Sequence, residues 1–274
     1  MLNQASSDEG FFLHDKGYVA AGEWCATMTP SRNQPPDGTV AGFIYCAALG
    51  AGGWNLIGAG FAAELARRGY PVICGDAGDT PTRIGNGDGP GVWGKPASVT
   101  LLHDYYKPFL QKSRSLGGLG AKSGKIGLLY GSHGCPLAYS YAAAYPNDVF
   151  LVAGGIGTCD VENIRANNLG TGGGFQAGIE TAYVNNAGWQ AARPTHNPVE
   201  IAASLAIPQL DYYSTSDPIC LPATHAALAT AAGSYMTQVS LGAVGHAFNG
   251  IGPRGAGQST YSKAFADWCE AHVA

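Results

Sequence analysis

The stretch that most constrains how this chain can fold covers residues 125–136 and reads Lys-Ile-Gly-Leu-Leu-Tyr-Gly-Ser-His-Gly-Cys-Pro. Its apolar run, 126–130, has the length and composition of a buried strand. The run stops at the small residues 131–134, and a helical pattern follows over 137–145. A buried strand that turns sharply into a helix is typical of an α/β protein with a mostly parallel sheet.

The turn in this stretch resembles the Gly-x-Ser-x-Gly arrangement that exposes a serine hydroxyl at the end of a strand. Here it reads Tyr130-Gly131-Ser132-His133-Gly134, so a tyrosine replaces the first glycine. A strained backbone at such a turn presents the hydroxyl, and the last glycine lets the helix pack close to the strand. Ser132 is therefore a candidate nucleophile, and the space for the Tyr130 side chain becomes a specific structural question.

Two later positions complete a candidate set with Ser132. Asp217 follows the predicted strand 209–214, and His246 follows the predicted strand 236–241. Attack by a serine on an acyl carbon needs a base within hydrogen-bond reach and an acid that orients the base. Because the carboxyl ends of parallel strands meet at one edge of a sheet, the sequence predicts that the three side chains converge there.

Two other residues compete for the same roles. Asp160 follows the predicted strand 149–156 and is a second candidate for the acid. His133 is a second candidate for the base because it is adjacent to the serine, although successive side chains at a sharp turn point apart. Asp76, after the predicted strand 70–74, is interpreted as a turn residue.

The order of these residues and the strands before them resemble the α/β-hydrolase superfamily, in particular its serine esterase and lipase branch. The resemblance rests on the strand and turn 126–134, on Asp217-Pro218, and on the Gly-His-Ala-Phe sequence around His246. It implies a mostly parallel central sheet flanked by helices, with Ser132 as nucleophile, His246 as general base and Asp217 as the orienting acid. It also implies cleavage of a carboxylic ester of small-molecule or lipid type, without a cofactor.

The same resemblance implies two backbone N–H groups that stabilise the negative oxygen of a reaction intermediate. One belongs to the residue after the nucleophile, here His133. The other lies in the Gly-rich loop after the first parallel strand, where Ala48 or Leu49 would supply it. Superfamily members commonly carry His-Gly at the start of that loop, whereas this chain has Ala-Ala. Trp54 and Trp93 are the predicted walls of the substrate pocket.

The rest of the pattern predicts a single domain over residues 11–274, preceded by a disordered segment over residues 1–10. A short antiparallel edge is expected at the N-terminal end, with residues 14–17 as its hairpin turn. The polar, Gly- and Asn-rich segment 157–198 is interpreted as an insertion over the site, with one helix near 175–185.

Composition and charge exclude several functional classes. The formal net charge is −4 and no basic run occurs, so we expect no nucleic-acid partner. The seven cysteines are scattered and form no Cys-x-x-Cys pair, which favours buried, reduced thiols. We also expect no metal site, because no His, Cys and Asp cluster has ligand spacing. Without a basic and apolar leader or a long apolar stretch, we expect a soluble protein made in the cytoplasm, with no signal peptide and no membrane span.

The N-terminal segment 10–36, with Gly22-Glu23 and the residues 28–32, resembles hydrolase-like tail proteins of phages that infect actinobacteria. That resemblance implies an oligomeric virion component, in contact with other virion proteins, that touches or cleaves esters of the host envelope. It leaves a second hypothesis open, in which the same fold carries a degenerate site and serves as a structural or binding protein.

Overall fold

A computed structural model gives the structure of the protein and describes residues 11–20, 23–30, 34–46, 60–75, 93–170, 174–246 and 260–273. The predicted disordered segment 1–10 and Asp76 lie outside these residues. The predicted fold class is confirmed: a mostly parallel sheet is flanked by helices on both faces, with an antiparallel edge at its N-terminal end.

The central sheet has eight strands in the order β1-β2-β4-β3-β5-β6-β7-β8. Their bounds are β1 Phe11–Ala20, β2 Glu23–Pro30, β3 Phe43–Cys46, β4 Val72–Gly75, β5 Ile126–Gly131, β6 Val149–Gly155, β7 Gln209–Tyr213 and β8 Met236–Ser240. The six strands from β4 to β8 in this order run parallel, whereas β2 pairs antiparallel with both β1 and β4. Because β3, β5 and β6 are covered on both faces, their sequences are nearly continuous apolar runs.

The antiparallel edge differs from its prediction in one respect. Residues 14–17 do not form a hairpin turn, because β1 continues through them as one strand. The pairing of β1 with β2 shifts in register between Asp15 and Gly17, so the extra residue is taken up as an irregularity in the ladder. Pairing with β2 therefore overrides the turn propensity of the local His-Asp-Lys-Gly sequence.

Helices cover both faces of the sheet. Their bounds are α1 Gly60–Arg67, α2 Pro96–Leu101, α3 Lys107–Gln111, α4 Cys135–Ala144, α5 Val161–Ala166, α6 Gln176–Ala182, α7 Asn186–His196, α8 Pro198–Ile201, α9 Pro222–Ala232 and α10 Thr260–Ala271. Phe61 of α1 and Phe265 of α10 share one core cluster, and Leu137 of α4 and Leu228 of α9 share the cluster on the other face. The sheet thus lies between two cores, as its apolar strands require.

The helix predicted over 98–115 is found as two helices, α2 and α3, joined by a π-helical turn at Leu102–Tyr106. Pro108 lies in the first turn of α3. Backbone N–H groups in a first turn have no partner within the helix, so a proline, which lacks this group, loses no hydrogen bond there. The π-helical turn therefore separates α2 from the proline, and a new helix starts with the proline in its first turn.

The segment 157–198, predicted as an insertion with one helix, contains the three helices α5, α6 and α7, and α8 starts at its last residue, before β7. A small apolar cluster of Trp93, Ile164, Ile179, Tyr183 and Trp189 holds α5, α6 and α7 together. Within the described ranges, no helix is long and apolar enough to cross a membrane. All seven cysteines fall in the described part of the chain, are buried, and form no disulfide there.

Candidate active site

The sharp turn predicted from the sequence is present between β5 and α4. Ser132 begins a short 3-10 turn directly after β5, and its φ is +43°, in the left-handed region that non-glycine residues rarely adopt. The carbonyl of Ser132 accepts a hydrogen bond from the backbone N–H of Thr158 at 3.0 Å, which ties the turn to the loop after β6. The strained backbone is therefore held by a neighbouring loop as well as by its own helix.

The structure brings Ser132, His246 and Asp217 together. Ser132 Oγ lies 2.9 Å from Nε2 of His246, and Nδ1 of His246 lies 2.7 Å from Oδ2 of Asp217. The carboxylate is fully buried, whereas 23% of the His246 side chain is exposed. A carboxylate, an imidazole and a hydroxyl therefore form one hydrogen-bonded line, which is fully buried at the acid and partly exposed at the imidazole.

The carboxylate of Asp217 is held in place by its own loop. Its Oδ1 accepts hydrogen bonds from the backbone N–H groups of Ile219 at 2.8 Å and Cys220 at 2.9 Å. Burial alone raises the pKa of Asp217, but the hydrogen bonds from His246 and from these two amides outweigh burial and lower the pKa below its ordinary value. Asp217 is therefore ionised at neutral pH and fixes the proton of His246 on Nδ1.

Neither alternative residue takes part in this line. Asp160 caps the N-terminus of α5, where its Oδ1 accepts from the backbone N–H of Asn163 at 3.1 Å and from Asn197 Nδ2 at 3.1 Å. A helix cap uses the same side-chain type after a strand, which explains why the sequence offers it as an acid. His133 makes no hydrogen bond to the serine, because its ring points away into the protein.

The His133 ring is buried against Trp93. The two ring centroids are 4.1 Å apart and nearly perpendicular, and the His133 side chain has only 3% exposure. Neither ring nitrogen has a hydrogen-bond partner among the residues that the structure describes. Burial lowers the pKa of His133 to about 3, so the ring is neutral at physiological pH.

Trp93 lies between the turn and the helices after β6. Its ring contacts His133 and Phe175, and its carbonyl accepts a hydrogen bond from Tyr183 at 2.7 Å. Its exposure is 3%, so Trp93 is a packing residue that joins the turn to those helices. Its predicted role as a pocket wall stays a prediction. The other predicted positions, Ala48, Leu49 and Trp54, lie outside the described residues.

The Tyr130 side chain is accommodated beneath the turn. Its ring passes over β6 at Gly154, where a Cβ would lie 2.4 Å from the ring, and at Gly157, where a Cβ would lie 2.7 Å from it. Its hydroxyl donates to Oδ1 of Asp211 on β7 at 3.1 Å. Two glycines on the neighbouring strand and loop thus provide the space that a glycine in the turn would have provided.

Asp211 belongs to a buried polar cluster that the sequence analysis missed. Its Oδ2 lies 2.7 Å from Nδ1 of His225 and accepts from Gln238 Nε2 at 3.1 Å, and the same His225 nitrogen lies 3.3 Å from Cys159 Sγ. We call Tyr130, Cys159, Asp211, His225 and Gln238 the support network. The sequence signal for this network was Asp211 itself, because a charged residue in the middle of a buried strand needs a partner.

Electrostatics hold this cluster together. Burial alone lowers the pKa of His225, but the carboxylate of Asp211 outweighs burial and raises that pKa above the ordinary value. Burial raises the pKa of the Cys159 thiol, so the thiol is neutral. Both side chains are fully buried, so the attraction between the imidazole and the carboxylate offsets the cost of removing each from water.

Two groups of three potential ligand side chains lie close enough together to be considered as metal sites. One is Cys159, Asp211 and His225, and the other is Asp217, Cys220 and His246. The nitrogen–oxygen distance is 2.7 Å in each group. Two ligand atoms on one tetrahedral zinc ion would be about 3.3 Å apart. Both groups therefore fit hydrogen-bonded pairs better than they fit a metal ion.

Several solved structures of hydrolases are similar to this chain over nearly its whole length. The chain is similar to an S-formylglutathione hydrolase from Agrobacterium tumefaciens, with a TM-score of 0.65 and 12% identity over 100% of this chain and 99% of the other. It is similar to the esterase domain of a Rhodothermus marinus protein, with a TM-score of 0.58 and 19% identity over 100% of both chains. It is also similar to a monoacylglycerol lipase from Paleococcus ferrophilus, with a TM-score of 0.61 and 13% identity over 92% of this chain and 99% of the other.

At these identities the likeness establishes the fold, which is the α/β-hydrolase fold. No family model matches the chain. No curated protein matches it significantly. The resemblance to phage tail proteins stays a prediction, because neither the sheet nor the site geometry bears on it.

Proposed function

We propose that the protein is a serine hydrolase that cleaves a carboxylic ester through an acyl-enzyme on Ser132. The observation that carries the proposal is the hydrogen-bonded line from Ser132 Oγ to His246, at 2.9 Å, and from His246 to Asp217, at 2.7 Å. These distances are those of a nucleophile with its base and of a base with its orienting acid. The S-formylglutathione hydrolase, the esterase domain and the lipase that share the fold support hydrolysis as the reaction class.

In the first half of the reaction, Ser132 Oγ attacks the acyl carbon while Nε2 of His246 takes the hydroxyl proton. The negative oxygen of the intermediate is stabilised by the backbone N–H of His133. The second donor expected from the sequence, Ala48 or Leu49, lies outside the described residues. The His246 imidazolium then gives its proton to the oxygen of the departing alcohol. Asp217 remains ionised throughout and stabilises the imidazolium.

In the second half, water replaces the alcohol. His246 removes a proton from the water as its oxygen attacks the acyl carbon, and the same proton returns to Ser132 Oγ when the acid is released. No other reactant is needed. The monoacylglycerol lipase that shares the fold supports an ester of acyl or lipid type as the substrate.

A fluorophosphonate probe and p-nitrophenyl esters test this proposal. We expect the probe to label the wild-type protein once, at Ser132, with mass spectrometry locating the adduct on the peptide that contains the turn. The Ser132→Ala variant should lose labelling, and its kcat on the esters should fall by a factor of about 10⁴–10⁶.

The matched control is Ser140→Ala on α4, which removes another buried hydroxyl from the same helix region. It should keep both labelling and ester hydrolysis. Full ester hydrolysis by Ser132→Ala, or labelling of wild type at another residue, would refute the proposal.

A further inference from the structure

The support network reaches the candidate nucleophile by two routes. The first runs through Tyr130, which lies two residues before Ser132 on β5. Its ring crosses β6 at Gly154, and its hydroxyl bonds Asp211 on β7 at 3.1 Å. One side chain therefore ties the end of β5 to a strand two places away in the sheet.

The second route runs through the loop after β6. The backbone N–H of Thr158 donates to the carbonyl of Ser132 at 3.0 Å, and the next residue, Cys159, contacts His225 through its sulfur at 3.3 Å. On its other side, Thr158 Oγ1 lies 3.7 Å from Cys220 Sγ. The backbone N–H of Cys220 donates to Asp217 at 2.9 Å. The loop thus lies between the candidate nucleophile and the candidate acid.

Four of the five side chains in the network are fully buried. The side chains of Asp211 and His225 are both completely buried, and Tyr130 and Cys159 have no exposed surface either. Asp211 receives bonds from Tyr130, His225 and Gln238, so removing one donor leaves a buried acceptor less satisfied while the others stay in place. Three side-chain donors thus fix the position of the Asp211 carboxylate within the sheet.

We propose that the support network positions Ser132 for reaction, with the Tyr130 hydroxyl and the Asp211–His225 pair as its positioning residues. The inference rests on the proposed function. None of these side chains touches the reacting atoms, and they act by fixing where Ser132 Oγ meets Nε2 of His246. A misplacement of about 1 Å at such a contact lowers a rate by a factor of about 100.

The test compares Tyr130→Phe with Tyr139→Phe. Both substitutions remove one fully buried phenol hydroxyl with a side-chain partner, since Tyr139 donates to Gln209 Oε1 at 3.0 Å outside the network. The measurement is kcat per active site titrated with the fluorophosphonate, together with KM. We expect a fall of about 10- to 100-fold in kcat for Tyr130→Phe, with KM within about twofold. Tyr139→Phe should keep the kcat of wild type.

Two substitutions of the imidazole give a second comparison. His225→Phe removes the donor to Asp211, whereas His225→Asn keeps an N–H donor near the position of Nδ1. We expect His225→Phe to lose kcat as Tyr130→Phe does, and His225→Asn to recover most of it. Equal kcat per titrated site in Tyr130→Phe and Tyr139→Phe would overturn the inference, whatever their melting temperatures.

A spectroscopic measurement separates this inference from the proposed function. The ¹⁵N chemical shift of His246 Nε2 reports the hydrogen bond from Ser132 Oγ without any turnover. In Tyr130→Phe the shift should move toward that of Ser132→Ala, and in Tyr139→Phe it should stay at the wild-type value. An unchanged shift in Tyr130→Phe overturns the positioning role even if wild type hydrolyses no ester, and lack of hydrolysis alone overturns only the proposed function.

Discussion

Acid should destabilise the protein through His133. Because burial holds the pKa of this ring at about 3, the folded protein keeps it neutral well below the pH at which an exposed histidine is protonated. An unfolded chain takes up the proton near an ordinary pKa of about 6.5. The folded value is the lower one, so the ring disfavours folding increasingly as the pH falls from about 6.5 toward 3.

The size of the effect follows from the two pKa values. Linkage gives a penalty of about 0.2 kcal/mol at about pH 7 and about 2.7 kcal/mol at about pH 4.5. Wild type should therefore lose about 2.5 kcal/mol of unfolding free energy over that interval because of His133 alone. This is a sizeable part of the stability of an ordinary domain.

The perturbation is His133→Leu, which keeps the backbone N–H and replaces the ring with an apolar side chain of similar size. Urea unfolding, followed by circular dichroism at both pH values, measures the acid-dependent loss. The variant should lose about 2.5 kcal/mol less than wild type. The matched control is His272→Leu, directly after α10. It measures how the removal of a histidine elsewhere changes the acid-dependent loss of unfolding free energy. If His133→Leu and wild type lose the same free energy within about 0.5 kcal/mol, the argument from burial is refuted.

Substitutions at Gly154, Glu162 and Asp217 test the packing, the charge and the catalytic role of separate parts of the molecule. Gly154→Ala places a methyl group 2.4 Å from the Tyr130 ring and should destabilise the protein by about 1–3 kcal/mol, as measured by urea unfolding. Its control Gly178→Ala on α6, with its nearest neighbour at 3.6 Å, should change stability by less than about 1 kcal/mol. Hydrogen bonds from Arg165 lower the pKa of Glu162 to about 2, so the stability that Glu162 contributes is present above about pH 4.3 and is lost as the pH falls through about 2. The fluorescence of Trp189, which donates to Glu162, should change as the pH falls to the folded pKa of about 2 in wild type and not in Glu162→Gln. Asp217→Asn should lower kcat on p-nitrophenyl esters by about 10³–10⁴, and a loss below about tenfold would contradict its role.

Much of the fold could be predicted because each element carried a local signal. The buried strands are apolar runs of strand length, and the turn at Ser132 is marked by small residues between a strand and a helix. The parallel arrangement then follows from the alternation of strands and helices. The convergence of Asp217 and His246 with the serine was predictable because parallel strands end at one edge.

What the sequence did not reveal depends on contacts between distant residues. The strand through residues 14–17 is determined by its partner β2, not by its own turn-forming side chains. The helices α5 and α7 are held by their shared cluster with Trp93, and their polar sequences alone suggested a loop. The role of Tyr130 needed Gly154, which is distant in the chain and adjacent only in the sheet.

The φ of +43° at Ser132 has a consequence for how the chain can change by mutation. Glycine would occupy this backbone position without strain, and relief of such strain is worth about 1–3 kcal/mol. The substitution that stabilises the turn most readily is thus the one that removes the hydroxyl. If Ser132 is the nucleophile, as proposed, selection for stability alone would therefore favour loss of the reaction.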